Sequence, residues 1–300
     1  MGDELTALPP LPRPLSRKGR GEQKTTSICS GELASPSPLA GCAATWGAQS
    51  GHLVECLGAS SEGLGRGGNA SPPEQHHFPD QFAMVAALGG YVIECLQRAI
   101  EQRGHALLAV SGGKTPAALF NWLSQQPLDW GKVNVTLADD RWLPPDHADS
   151  NARLLRQHLL QGHAAAARFT PLVTAAPTPE SGLAQATERL SCLPLPFDLI
   201  LLGMGDDGHT ASLFPCAPQL RRALSTSEPL VAIDPQTAPY GRISLSASAL
   251  RQSRQNILLI AGAGKQAVLQ LALQDGAVEQ MPVRLLWQPD APPLAIYWAP

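Results

Sequence analysis

The residues best suited to chemistry lie between Gly203 and Pro215, in the run GMGDDGHTASLFP. Glycines and aspartates crowd the turn, and His209 follows at once. An imidazole, with a reference pKa of about 6.5, is a suitable general base at neutral pH. The glycines are expected to permit positive φ and close ligand approach. A histidine held only by structural hydrogen bonds is the plainer reading. It suits a lone histidine on an apolar face better than one in a Gly-rich turn beside two carboxylates. Two further polar runs stand out. SGGKTP supplies Gly112, Gly113, Lys114 and Thr115 at the start of a helix. Its backbone N–H groups, ammonium and hydroxyl suit an anion or a sugar hydroxyl, and its plainer reading is a glycine turn with a helix cap. DDRW supplies Asp139, Asp140 and Arg141. The Arg141 guanidinium is a planar fork matched to phosphate or carboxylate, against a plain solvated charge cluster.

Several alternatives fall away. GMGDDG also matches GxGxxG, with Glu228 placed like a ribose-binding acid, but Pro215 and Pro218 cut short the helix that would hold a pyrophosphate. GLGRGG (Gly63, Gly65, Gly68) has neither a preceding strand nor a following helix. There is no GxSxG elbow, no HExxH and no GxxxxGK[ST] loop, and GAGKQ lacks the flanking residues of the last. This disfavours a serine hydrolase, a zinc hydrolase and a P-loop NTPase. A net charge of -3 over 300 residues, 16% of them charged, is a poor footprint for nucleic acid. Cys29, Cys42, Cys56, Cys95, Cys192 and Cys216 form no CxxC pair, which argues against a zinc site or disulfide framework and for reduced thiols in the cytoplasm. No apolar run reads as a membrane span, and the N-terminus lacks the apolar stretch of a secretory signal.

The elements that must position these residues occupy 76–300. Residues 1–75 are rich in Pro, Gly and Ser and show no sustained period. They read as a disordered extension or an initiation site placed too early. The stretch after Pro79 predicts a helix capped by Asp80 and stopped by Gly104. HALLAV (105–110), KVNVTLA (132–138), FDLILLGM (197–204), NILLIAG (256–262) and PLAIYW (293–298) predict strands, and RISLSASAL starts as one. TPAALFNWLSQQ, SNARLLRQHLL and KQAVLQLAL predict helices. Apolar strands alternating with amphipathic helices imply an α/β fold, a doubly wound and mainly parallel sheet with helices on both faces. Ligands bind such sheets at the carboxyl ends of the strands. SGGKTP, DDRW and GMGDDGH each directly follow a strand, so they meet in one crevice if those strands are neighbours.

Assembled in this order, the motifs resemble those of the bacterial 6-phosphogluconolactonase family, from about His76 to the C-terminus. AVSGGKTPAALF resembles the family's first loop, with Lys114 where Ser is usual. LADDRWLPPDHADSNARLLRQHLL resembles its Asp-Glu-Arg segment, with Asp140 where Glu is usual. DLILLGMGDDGHTASLFP resembles its most specific signature, and RISLSASAL and GAGK sit in the expected order. The related glucosamine-6-phosphate deaminases share the Gly-Asp-Gly-His core on the same isomerase/deaminase-like scaffold but continue differently; TASLFP favours the lactonase. The resemblance implies hydrolysis of 6-phosphoglucono-1,5-lactone to 6-phosphogluconate in the oxidative pentose phosphate route. His209 would activate water, with Asp139 orienting or stabilising that machinery. Arg141, Arg242 and Lys265 would hold the phosphate. Gly112, Gly113 and Thr115 would shape the sugar pocket, with Lys114 beside them, and Asp207 and Gly208 would set the turn that aims His209. No metal, organic cofactor, nucleic acid or membrane is implied. A sugar-phosphate deaminase or isomerase, or a non-catalytic sugar-phosphate sensor, are the alternatives.

Overall fold

The computed structural model describes residues 73–300. The reading of residues 1–72, GLGRGG included, lies outside the described residues. The strands are β1 (Glu74–His77), β2 (Ala106–Val110), β3 (Val133–Leu137), β4 (Asp139–Arg141) and β5 (Arg168–Thr170), then β6 (Leu199–Leu202), β7 (Leu230–Ile233), β8 (Arg242–Leu245), β9 (Asn256–Ala261) and β10 (Leu294–Ala299). The main helices are α1 (Gln81–Arg103), α2 (Lys114–Ser124), α3 (Asn151–His158) and α4 (Pro179–Ser191), then α5 (Leu220–Ser225), α6 (Ala247–Arg251) and α7 (Ala263–Ala272).

Seven strands form one parallel sheet in the order β1-β10-β9-β6-β2-β3-β5. From β2 the chain steps outward through β3 to β5. It then returns to β6, on the other side of β2, and proceeds the opposite way through β9 to β10. The order therefore reverses between β2 and β6, which is where such sheets open a ligand crevice. Right-handed crossovers running in opposite directions place helices on opposite faces, and α1 and α2 pack together. Every residue of β2 and β6 is buried, as strands covered on both faces require.

The register aligns the carboxyl ends. Val110 pairs with Leu137 on one side and Leu201 on the other. SGGKTP, DDRW and GMGDDGH accordingly leave adjacent strands, as the crevice required. DDRW differs from expectation in being a strand itself. The Ala138 N–H stays with the parallel sheet by donating to the Val110 carbonyl, while its carbonyl accepts from Leu245 N. The chain thus changes sheets at Ala138, and β4 runs antiparallel to β8 in a three-stranded sheet, β4-β8-β7.

Local signals explain the best-read helix. Asp80 accepts from Ala83 N at 2.7 Å, and Gly104 closes α1 in the left-handed region with φ 78°. Met84, Leu88, Val92, Leu96 and Ile100 form a buried stripe at fourfold spacing. One expectation needs correction: by length and composition α1 is apolar enough to cross a membrane. That stripe is buried in the core of this domain instead.

Two buried carboxylates tie the layers together. At the amino end of the sheet Asp198 accepts from Leu107 N at 2.8 Å and Arg103 Nη2 at 2.6 Å, with Arg254 Nε at 3.3 Å. It joins β6 to β2 and to the last turn of α1. At the opposite end Asp140 accepts from Asn151 N (2.7 Å), Arg141 N (2.8 Å) and Ala152 N (3.1 Å). It caps α3 together with Ser150, whose Oγ accepts from Arg153 N. Burial, aided by the neighbouring Asp139 charge, outweighs these donors and pushes the Asp140 carboxyl up to about 6.

Asp198→Ala strands two guanidiniums and a strand N–H, and is expected to cost about 3 kcal/mol. Urea unfolding would show it as a lower midpoint at unchanged slope. For Asp140 the folded-state pKa lies above the unfolded value of 3.8. Its protonated form therefore favours the fold, a contribution complete below pH about 4 and lost as pH rises through about 6. Relative to Asp140→Asn, the wild type should lose on the order of 3 kcal/mol of unfolding free energy between pH 4 and 7. An equal pH response of the two proteins would refute the assignment.

Candidate active site

His209 sits in the turn after β6. Gly205 N donates to the His209 carbonyl at 2.8 Å, and Gly208 N to the Gly205 carbonyl at 3.2 Å, closing the turn. Gly208 has φ 77°, and a Cβ there would also press on Met281. A Cβ on Gly205 would overlap the His209 ring. Both positions therefore need glycine, one for its conformation and one for the space its missing side chain leaves. Asp207 Oδ1 lies 2.6 Å from His209 Nδ1 and also accepts from the His209 backbone N–H at 3.1 Å. Burial raises the Asp207 carboxyl, but the hydrogen bonds and charge of His209 overcome this and bring it below the usual carboxylate range. An ionised Asp207 fixes the Nδ1–H tautomer and leaves the lone pair on Nε2. The ring stacks on Phe214, with centroids 4.0 Å apart. Arg242 approaches Phe214 too, with Cζ 5.3 Å from its centroid. Phe214 thus links the imidazole to the guanidinium.

Strand alternation separates the two aspartates of DDRW. Asp139 faces the crevice, where its Oδ2 accepts from Ser212 Oγ at 2.6 Å. Its carbonyl accepts from Asn151 Nδ2 at 2.9 Å. Asp139 therefore anchors the segment that follows His209, where Ala211 takes a positive φ of 49°. Thr210 Oγ1 secures the same segment by donating to the Gly203 carbonyl at 2.9 Å.

Arg141 and Arg242 are register partners across β4 and β8, so two guanidiniums stand side by side. Arg141 Nη1 donates to the Asp149 carbonyl at 2.6 Å, and Arg242 Nη2 to the Pro239 carbonyl at 3.3 Å. Burial lowers the Arg242 pKa from its ordinary value; Asp139 opposes this and the Arg141 charge adds to it. Among the described residues the Nε atoms of both arginines are buried without a partner, as is Ser111 Oγ. Lys265 Nζ meets Asp206 Oδ1 at 2.6 Å, although the Asp206 side chain is 92% exposed.

These groups enclose a cavity of about 380 Å³ at the sheet's switch point. Of the residues singled out by sequence, Gly112, Gly113, Lys114, Thr115, Asp139, Arg141, His209, Arg242 and Lys265 line it. Asp207 and Gly208 do not; they lie behind the imidazole and set its orientation. Sequence reasoning assigned no role to Ser111, Asn151, Ser212 or Phe214. The last two sit in TASLFP, directly after the histidine, and the run itself was the available signal. Asn151 follows the helix-starting Ser150.

Residues 79–298 match the family described as glucosamine-6-phosphate isomerases/6-phosphogluconolactonase. The chain is 44% identical to a 6-phosphogluconolactonase of Rhizobium meliloti, over 75% of this chain and 98% of that one. It is 42% identical to one from Pseudomonas putida, over 75% of this chain and 92% of the other. Among solved structures, a Shewanella baltica 6-phosphogluconolactonase superposes with a TM-score of 0.76 at 43% identity, covering 78% of this chain and all of its own. With its motifs, sheet order and crevice in agreement, the chain belongs to the glucosamine-6-phosphate isomerase/6-phosphogluconolactonase family.

Proposed function

We propose that this chain hydrolyses 6-phosphoglucono-1,5-lactone to 6-phosphogluconate, a step of carbohydrate metabolism in the pentose phosphate route. The observation that carries the reading is a coincidence of unmet polar groups. Among the described residues Ser111 Oγ, Arg141 Nε and Arg242 Nε are buried without partners, and all three residues line the same cavity as His209. Groups left unpaired in the interior are costly unless a ligand completes them. Paired guanidiniums suit a phosphate, with Lys265 and Lys114 as further cations.

The chemistry needs no nucleophilic side chain, because a lactone is an activated ester. His209 Nε2 takes a proton from water as the oxygen attacks the lactone carbonyl. Charge gathers on the carbonyl oxygen, which a backbone N–H of the Gly112–Gly113 loop would stabilise by donating to it. When the carbonyl re-forms, the bond to the ring oxygen breaks. The imidazolium then returns its proton to that oxygen, giving the carboxylic acid and a free hydroxyl. Asp207 holds the ring in the required tautomer, and Asp139 holds the Ser212 segment beside it. Gly112, Gly113 and Thr115 shape the sugar pocket. No metal or organic cofactor enters any step, and the reading is of a cytoplasmic enzyme with a small-molecule substrate.

The test follows hydrolysis of lactone generated in situ, corrected for the spontaneous reaction. His209→Ala should lower kcat/KM by about 10²–10⁴-fold. A wild-type rate no greater than background would overturn the lactonase; ammonia release from glucosamine-6-phosphate would then be assayed. Arg242→Ala should raise KM about tenfold or more, with a smaller effect on kcat. An unchanged KM would remove Arg242 from the phosphate site.

A further inference from the structure

A second cavity, of about 530 Å³, lies on the other side of β4. Its size is within the usual range for small-molecule sites. The walls include Trp142, Pro144 and Val173, and its rim carries Arg156 and Arg189. The Arg156 guanidinium lies over the Phe169 ring, 5.3 Å from its centroid, and Nη1 donates to the Pro145 carbonyl at 3.4 Å. Arg189 Nη1 donates to the Val173 carbonyl at 3.2 Å. Among the described residues neither guanidinium has a carboxylate partner. Asp140 is the one carboxylate among the residues lining this cavity, and its oxygens are engaged by the backbone N–H groups at the start of α3. The cavity therefore offers an apolar body and a cationic rim with no competing free acid.

The wall between the two cavities is thin. Asp139 lines the active-site cavity and Asp140 the second one. The first turn of α3 divides in the same way: Asn151 faces the active site, while Ser150 and Ala152 face the second cavity. Asn151 holds the Asp139 carbonyl, and its amide packs so closely on Gly112 that a Cβ there would overlap it. A shift of this turn would move both the Asp139 anchor and the first loop.

We propose that this cavity is a second ligand site, for a small organic anion with an apolar body, and that the first turn of α3 transmits its occupancy to the active site. The coupling rests on the lactonase reading; the binding does not.

The probe is 1-anilinonaphthalene-8-sulfonate, whose fluorescence rises when it leaves water, titrated into the full chain. Wild type should bind it at a site that both of the following variants weaken. The double substitution Arg156→Gln/Arg189→Gln should weaken binding about tenfold or more. Val173→Trp, which narrows the cavity without removing charge, should also weaken it. Uncharged N-phenyl-1-naphthylamine should bind wild type about tenfold more weakly than the sulfonate. Absence of binding in wild type, affinity unmoved by both variants, or equal affinity for the neutral dye would each overturn the site. For the coupling, saturating dye should change wild-type kcat/KM for the lactone at least about twofold and leave the double variant unaffected. An equal response of the two proteins, or none in wild type, would overturn the coupling.

Discussion

Two adjacent carboxylates cannot both enter a protein interior unless each finds its own donors, and a strand sends successive side chains to opposite faces. Asp139 and Asp140 meet both conditions on β4. Asp140 satisfies itself on the backbone of α3, and Asp139 on the Ser212 hydroxyl. Much of the site hangs on this division. The Asp140 contacts fix where α3 begins, which places Asn151 against both Asp139 and Gly112. The Asp139 contact fixes the segment after His209, and through it the position of Phe214. β4 exists because the chain leaves the parallel sheet at Ala138 to pair with β8, and that same pairing sets Arg141 beside Arg242. One change of sheet thus brings together an anchor, a helix cap and the paired guanidiniums.

The Gly-rich turn solves a different problem. A histidine that acts as a base needs one nitrogen held and the other free. Asp207 lies only two residues before His209, so the holding group comes from the turn itself. Such a tight return requires the left-handed Gly208 and leaves no space for a side chain at Gly205. Burial raises the Asp207 carboxyl, and the hydrogen bonds and charge of the histidine it orients bring it below its ordinary value. The arrangement is therefore reciprocal: the carboxylate orients the ring, and the ring lowers the carboxyl's pKa.

How far the sequence could be read depended on whether a feature was local. Asp80 and Gly104 bounded α1 correctly because capping is decided within a few residues. Buried strands such as LILL in β6 announced themselves as unbroken apolar runs. The adjacency of the motif-bearing strands followed from a fold-level rule and stood as a condition until the sheet order met it. The features that went unread are long-range. Nothing near Asp139 indicates that its partner is Ser212, 73 positions away. DDRW looks like a loop because three polar or charged residues make a poor strand. It becomes one only where β8 supplies the partner and Ser212 and Asn151 the donors. The membrane-like apolarity of α1 is likewise uninterpretable until its stripe is seen in the core.

The crevice differs in charge from the chain as a whole. The whole chain carries a net charge of -3, yet the cavity is lined by Lys114, Arg141, Arg242 and Lys265 against Asp139 and Asp206. A positive pocket in a mildly acidic protein draws small anions while the remaining surface repels polyanions. Within the pocket the cations are held differently. Arg141 and Arg242 are fixed by strand pairing and backbone carbonyls, so they are preorganised and lose little freedom on binding. Lys265 is tied instead to a carboxylate standing in solvent, a contact that water weakens. Hydrolysis of a lactone adds one carboxylate charge to the bound molecule. A pocket of fixed cations alone would hold that product more tightly than the substrate.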